Sequence, residues 1–380
     1  MKTHPLSLAL LAALLAATPV ARAEVPIDVI GGSDISFEGL LQSDGYWYDS
    51  DLLDLDADAG DGSDADFGLR RAEIGFKGKG PGNFEWALGY DASGDGKFLD
   101  AFAKYKLGGN SNRYLQVGQF KQPNSLEELS STKNNDFIAK SLATNTFGIS
   151  RRLGIGGGIG NGDWGVAASV FGRELTRNRA HGSGYAARGY WAPISEKGNF
   201  LHLGLSYADY DTDADTLRLR ARPGADMSNR IVDTGNLRDT DRIGTFGTEA
   251  IWVRGPLKLQ GEYMTSKVSR YGTGSDDFTA TGGYVSALWN VTGETWSYKG
   301  GTPLPANPAS GMWQVGLRYD TLDLDDGAVA GGQLDTITLG VNWYWRSNFK
   351  FMLDYVKANS ERRGISDDPG ILEARAQFYW

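Results

Sequence analysis

The 380-residue sequence predicts an all-β fold, a transmembrane antiparallel β-barrel of about sixteen strands with inward-folded loops. Three observations predict it. Segment after segment alternates apolar and polar residues. The connections switch between tight turns and long polar stretches. Beyond the first residues, no apolar run approaches the roughly twenty that a membrane helix needs.

The first element is a leader. Lys2 precedes an apolar run from Leu6 to Ala17, and Ala21-Arg22-Ala23 supplies an A-x-A cleavage pattern, so residues 1–23 read as an export signal and 24–380 as the barrel. Cysteine is absent, so an exported chain of this size must rely on backbone pairing and packing. Without Lys2 and Arg22 the formal charge of -9 becomes about -11, an acidic balance that argues against nucleic acid as a partner. Mean hydropathy of -0.36 excludes a helical membrane protein. The 52 glycines and 12% aromatics suit many strands and turns.

Strands are expected near 34–43, 67–77, 84–92, 97–107, 113–121, 147–159, 164–173, 185–194, 200–210, 245–254, 257–268, 280–292, 312–322, 334–344, 349–360 and 370–380. In LKLQGEYM, Leu257, Leu259, Gly261 and Tyr263 oppose Lys258, Gln260 and Glu262; in FKFMLDYV, Phe349, Phe351, Leu353 and Tyr355 oppose Lys350, Met352 and Asp354. The final ILEARAQFYW alternates to its end, with Leu372, Ala374, Ala376, Phe378 and Trp380 on the apolar side. Its terminal aromatic fits the membrane interface.

Tight turns at 78–83, 108–112, 160–163, 195–199, 254–256 and 345–348 mark one end of the sheet. Long connections at 44–66, 122–146, 174–185, 211–244, 269–279, 323–333 and 361–369 mark the other. That asymmetry, and an even strand count, fit an outer-membrane barrel with both termini on the periplasmic side. The stretch 122–146 is too long for a hairpin, and Ser125-Leu126-Glu127-Glu128 within it is a capping-box pattern that starts a short helix. Residues 293–311 form a long connection on the side of tight turns and are expected to fold inward as well.

Catalysis is not expected, because His181 and His202 are the histidines after the leader and neither has a nucleophile or metal spacing. The glycine cluster GIGGGIGNGD (154–163) completes no GxGxxG and reads as a tight hairpin beside a crowded wall. The Asp-rich 48–66 departs from the calcium-loop register, with Ala59 at the turn-glycine position, and reads as a solvated external loop.

Two basic features stand against the acidic background. In TLRLRARP, Arg218, Arg220 and Arg222 repeat at period two, followed by Arg230, Arg238 and Arg242. Two arrangements fit this spacing: a ladder of guanidinium forks passing an anion inward, or loop arginines paired with Asp211, Asp213, Asp215 and Asp226. In GLRRAEIGFKGK, adjacent Arg70 and Arg71 cannot both point inward from a regular strand, so a bulge or a rim position is implied.

The pieces FGLRRAEIGF, VGQFKQPNSLEELSSTK, NFLHLGLSYA with TLRLRARP after it, VTGETWSYK, TITLGVNWYW and DYVKA together resemble the phosphate- and polyphosphate-selective porins of the Gram-negative outer membrane. The resemblance covers nearly the whole chain after the leader. It implies a homotrimer of sixteen-stranded barrels, an arginine ladder, and a constriction built from Arg, Lys, Ser and Asp. By position, Arg218, Arg220 and Arg222 match the ladder, and Arg230, Arg238 and Arg242 match it only loosely. Arg70, Arg71, Asp100, Ser130, Ser131 and Lys350 match the constriction, and Lys121 and Lys133 join it as pore residues. Glu128 stands where phosphate-selective members carry a central lysine, Leu40 where they have an arginine, and Glu73 where they have an aromatic.

The expected activity is passive conduction of small hydrophilic solutes, with phosphate, polyphosphate and other small anions preferred to cations. Outer-membrane lipid and lipopolysaccharide surround the barrel, and no cofactor or metal is required. A general or sugar-accepting pore, or a closed barrel acting as a surface receptor or adhesin, are the alternatives.

Overall fold

The structure, a computed structural model, describes residues 25–27, 34–57, 64–80, 82–109, 112–176, 182–306 and 310–380. The expected leader, His181 and the middle of the Asp-rich stretch lie outside these residues. Among them, no helix is long and apolar enough to cross a membrane.

Sixteen strands close into one antiparallel barrel: β1 (Asp34–Asp49), β2 (Ala65–Lys79), β3 (Phe84–Asp91), β4 (Lys97–Lys106), β5 (Arg113–Lys121), β6 (Arg151–Gly160), β7 (Trp164–Phe171), β8 (Gly184–Glu196), β9 (Asn199–Asp211), β10 (Thr240–Arg254), β11 (Leu257–Arg270), β12 (Phe278–Asn290), β13 (Met312–Asp326), β14 (Val329–Arg346), β15 (Phe349–Arg362) and β16 (Gly370–Tyr379). Each pairs with its neighbours in sequence. The circle closes between β1 and β16, from Leu40 opposite Tyr379 to Asp49 opposite Gly370. Gly39 and Trp380 extend that seam with two reciprocal backbone hydrogen bonds of 3.2 Å. Closure leaves no edge, which matters in hydrocarbon because no water is there to satisfy an open N–H.

The period-two pattern decides which face is which. Along β11, Leu257, Leu259 and Tyr263 are exposed while Lys258, Gln260 and Glu262 are buried inside. On β16, Leu372 faces outward, and Glu373, Arg375 and Gln377 face the lumen. Apolar side chains on the outside have lipid as their solvent, so exposure there is favourable. Near the tight-turn rim, Trp313 stacks on Trp343 at 5.5 Å and Trp343 on Phe351 at 5.6 Å, the aromatic belt of an interface. Trp380 packs against Phe37 and Phe378 in the same zone.

The wall is uneven in height. Strands β3 to β7 run 8 to 10 residues, whereas β8 to β15 run 13 to 18.

Three connections fold into the barrel. Residues 122–150 carry α1 (Leu126–Leu129) and α2 (Leu142–Phe147); the α1 cap forms as expected, Ser125 accepting from the Glu128 N–H. Residues 212–239 form a ribbon of two short strand pairs, whose Leu219, Ala221, Ile231, Val232 and Leu237 are buried in one cluster with the wall's Ile243, Phe278, Leu334 and Val356. From the opposite end, the paired strands Thr295–Lys299 and Thr302–Ala306 send Trp296 among Phe200, Ile251, Val253 and Leu288.

Two local expectations are corrected. Residues 323–333 are not a long loop, because β13 and β14 keep pairing as far as Asp326 opposite Val329. Most of the glycine cluster is not hairpin. Gly154 to Gly160 lie within β6, paired on both sides, and only Asn161 to Asp163 make the turn.

Candidate functional site

The inward loop 122–150 is held by its backbone. Glu262 on β11 accepts from the N–H groups of Leu126 and Glu127, each at 2.8 Å; Asp354 on β15 accepts from Ile138 at 2.7 Å, and Asp320 on β13 from Leu142 at 3.1 Å. Cations take the carbonyls. Arg318 donates to Ala139 at 2.9 Å, Arg375 to Ile138 at 2.8 Å and Lys350 to Asn135 at 2.8 Å. Irregular backbone at membrane depth needs such partners, because each buried N–H or C=O left alone costs on the order of 1–3 kcal/mol.

Pinned against β11–β16, the loop leaves a throat facing β2–β6. A cavity of about 330 Å³ there is lined by seven cationic side chains and three carboxylates. On the β2 side the chain register shifts between Gln42 and Ser43, so Arg70 is the extra residue of a bulge beside Arg71. This lets both adjacent arginines reach the lumen, a bulge being one of the two arrangements the sequence left open. Arg70 pairs with Asp226 of the 212–239 ribbon at 2.8 Å, and Arg71 with Glu73 at 3.0 Å. Opposite them, Asp100 takes both Nε (2.9 Å) and a terminal nitrogen (3.1 Å) of Arg151. Lys121 donates to the Glu128 and Ser130 carbonyls, and the Glu128 carboxylate is ion-paired with Lys140.

Burial works against ionisation of Glu128, yet Lys140 and then Lys121 hold its carboxyl down at about 2. Asp226 is likewise opposed by burial but kept below the usual range by Arg70. The local cation field outweighs the carboxylates set in it.

Above the throat, the ribbon's alternation puts Leu219 and Ala221 against the wall and leaves Arg218 and Arg220 exposed, with Arg222 half-buried. Arg218 pairs with Asp233 at 2.8 Å, Arg222 donates to the Ser228 carbonyl at 2.6 Å, and Arg242 pairs with Asp209. Arg220 and Arg230 have no side-chain partner among the described residues. Partial burial, then Arg222 and Arg220, push the Arg230 guanidinium down to about 10. Like charges are therefore gathered, not dispersed. Asp226 turns to Arg70 and not to the ladder, and the aspartates that do pair with ladder arginines are Asp233 and Asp209, not the four expected from the sequence.

The remaining expected residues have other surroundings. Ser130 Oγ donates to the Leu126 carbonyl and closes α1. Ser131 and Lys133 line the periplasmic side of the throat, Lys133 over the Tyr379 ring at 5.2 Å. Lys350 is fully buried under the loop. His202 is bridged between Tyr298 and Glu249. Sequence reasoning missed Lys140, Arg151 and Arg375 as throat residues. Arg375 was legible as inward from its parity; Arg151 sits opposite Lys121 at the strand ends, where alternation no longer sets direction.

A family model described as "Phosphate-selective porin O and P" matches residues 43–380. Porin O of Pseudomonas aeruginosa is 30% identical over 230 residues, covering 50% of this chain and 52% of that protein. An uncharacterized protein of Caulobacter vibrioides is 29% identical over 329 residues, covering 79% of this chain and 65% of that one. The chain thus spans about half to two-thirds of the length of the curated relatives it matches. Among solved structures, the outer membrane channel DcaP of Acinetobacter baumannii superposes with a TM-score of 0.61 at 10% identity, covering 93% of this chain and 99% of that chain. That likeness concerns the fold.

Proposed function

We propose, since the chain belongs to the phosphate-selective porin O and P family of the Gram-negative outer membrane, that it conducts small anions passively and prefers phosphate and polyphosphate to cations. One observation carries the proposal: in a chain of formal charge -9, the throat cavity is lined by seven cations against three carboxylates, and the two further carboxylates beside it, Glu73 and Asp100, are each paired with an arginine of that lining. An anion entering there exchanges water for guanidinium and ammonium donors, and a phosphate oxygen pair suits the planar fork of Arg70, Arg71 or Arg151. Arg218, Arg220, Arg222 and Arg230 would raise the local anion concentration above it. No step needs a nucleophile or a cofactor, so this is conduction without catalysis. Residues 1–23 would serve export only.

A homotrimer is part of the proposal. A membrane strand needs roughly 9–11 residues at a tilt near 45°. The 8-residue β3 and β7 fall short of that, so the low wall suits contact with neighbouring protein better than lipid.

The test is the reversal potential of purified protein across a chloride gradient in planar bilayers, then block by added phosphate. Anion selectivity with phosphate block at low concentration is expected. Unselective current would favour a general pore, and an absence of current a closed receptor barrel; either outcome overturns the reading.

A further inference from the structure

The glycine run of β6 remains unexplained by an inorganic-anion throat. From Gly154 onward its lumen-facing positions are Gly154, Gly156, Gly158 and Gly160, so this part of the strand's inner surface carries no side chains. Aromatic rings of neighbouring strands lie in the space left. A Cβ at Gly156 would sit 3.0 Å from Phe120, one at Gly158 2.8 Å from the Tyr114 ring, and one at Gly165 2.7 Å from the Tyr190 ring. The wall is thus hollowed, and the hollow continues the path below the throat.

A cavity of about 370 Å³ occupies this position, reaching from Lys121 and Leu129 at the throat to Gly300 and Thr302 of the inward periplasmic hairpin. Small-molecule sites have volumes of roughly 300–1,000 Å³. Four polar groups converge on it without a hydrogen-bond partner among the described residues: the Lys104 ammonium, the Gln116 amide and the hydroxyls of Tyr114 and Tyr190. The Lys104 ammonium lies 4.5 Å from the Tyr114 centroid, on a strand position flanked by Glu85 and Gln116.

We propose that this exit cavity is a subsite for a phosphorylated polyol, an organic phosphate with a hydroxyl-bearing skeleton such as a sugar phosphate. Fully ionised oxyanions only accept hydrogen bonds, and a site for them alone would need donors alone. Of the three cations in the lining, Lys121 is held by loop carbonyls and Arg188 by Glu249, which leaves the Lys104 ammonium to take phosphate oxygens, while an amide and two phenols both donate and accept, as sugar hydroxyls do. The glycine and alanine backing of β6 and β7 offers apolar surface to the carbon skeleton. The assignment rests on the anion-channel reading and names a substrate class for it.

The experiment is single-channel current of the full-length protein in chloride, with glucose 6-phosphate, inorganic phosphate or glucose titrated in turn from the periplasmic side. Wild type should be half-blocked by glucose 6-phosphate at a concentration at least 5-fold below that for glucose. Tyr114→Phe combined with Tyr190→Phe keeps both rings seated and should raise the glucose 6-phosphate value at least 5-fold, leaving phosphate block within 2-fold. Lys104→Met should weaken glucose 6-phosphate block too, with no effect on glucose. Equal losses for phosphate and glucose 6-phosphate in the tyrosine variant, or no loss for either, overturn the subsite. So does glucose blocking as well as its phosphate. A wild type without anion preference that still shows the tyrosine-dependent block would instead fail the channel reading and keep the subsite.

Discussion

Two walls of the same barrel carry inward charge and use it differently. On β11–β16, Arg318, Asp320, Lys350, Asp354 and Arg375 are at most 3% exposed and each holds the inward loop's backbone. On β2–β6, the side chains of Arg70, Arg71, Asp100 and Arg151 remain 15–35% exposed and face the throat. A buried charge is tolerable only when paired and hydrogen-bonded, so the first wall is fixed in geometry. A half-exposed charge keeps water it can trade for a solute. The difference teaches that charge count alone does not find the residues open to the throat; burial sorts loop anchors from throat-facing charges.

The largest effect should come from an anchor. Arg318→Met leaves the buried Asp320 without its cation and the Ala139 carbonyl without its donor, and removing one partner of a buried pair costs about 3–5 kcal/mol. We expect a lower temperature of heat modification on gels and a larger conductance as the loop loosens. An altered ion selectivity with unchanged conductance and stability would erase the distinction between the walls.

Next come the throat residues. Glu128→Lys removes a carboxylate facing Lys140 and Lys121 and adds a cation, so half-block by phosphate should fall by about tenfold or more, since charges a few ångströms apart interact on a kcal scale. Arg70→Ala with Arg151→Ala should shift the reversal potential toward zero selectivity at little cost in stability. Barrel unfolding in that double variant would mean that β2–β6 also carries anchors.

The ladder should matter less. Replacing Arg218, Arg220 and Arg222 by Ala is expected to reduce anion preference a few-fold, more at low salt than at high salt, because exposed charges are screened. The barrel should form normally. Selectivity independent of these arginines at low salt would leave them as surface pairs.

The smallest effect is in acid. The Glu128 carboxyl is depressed from 4.5 to about 2, so its contribution to stability is complete above about pH 4.5 and is lost as pH falls toward 2. Heat-modification temperatures of wild type and Glu128→Gln measured between those values should converge toward the acid end. Parallel curves would show that Glu128 is not held by its lysines.

The sequence by itself determined the barrel, its strand number and its inner and outer faces, because period-two alternation is a local code that each strand reads independently. Parity assigned Lys258, Asp354 and Arg375 to the lumen, and the adjacency of Arg70 and Arg71 implied a bulge or a rim position, of which the structure has the bulge, at Gln42 and Ser43. Turn chemistry was a weaker guide, and polar β13 and β14 ends were taken for loop because pairing, not composition, sustains a strand above the membrane. Only the tertiary structure decided which lumen charges line the throat. Lys140 and Arg151 enter the throat, and Lys350 leaves it, according to where a loop from 122 to 150 comes to rest across the barrel. That position depends on contacts between residues up to 244 apart in the chain, such as Lys133 with Gln377, which no local pattern encodes.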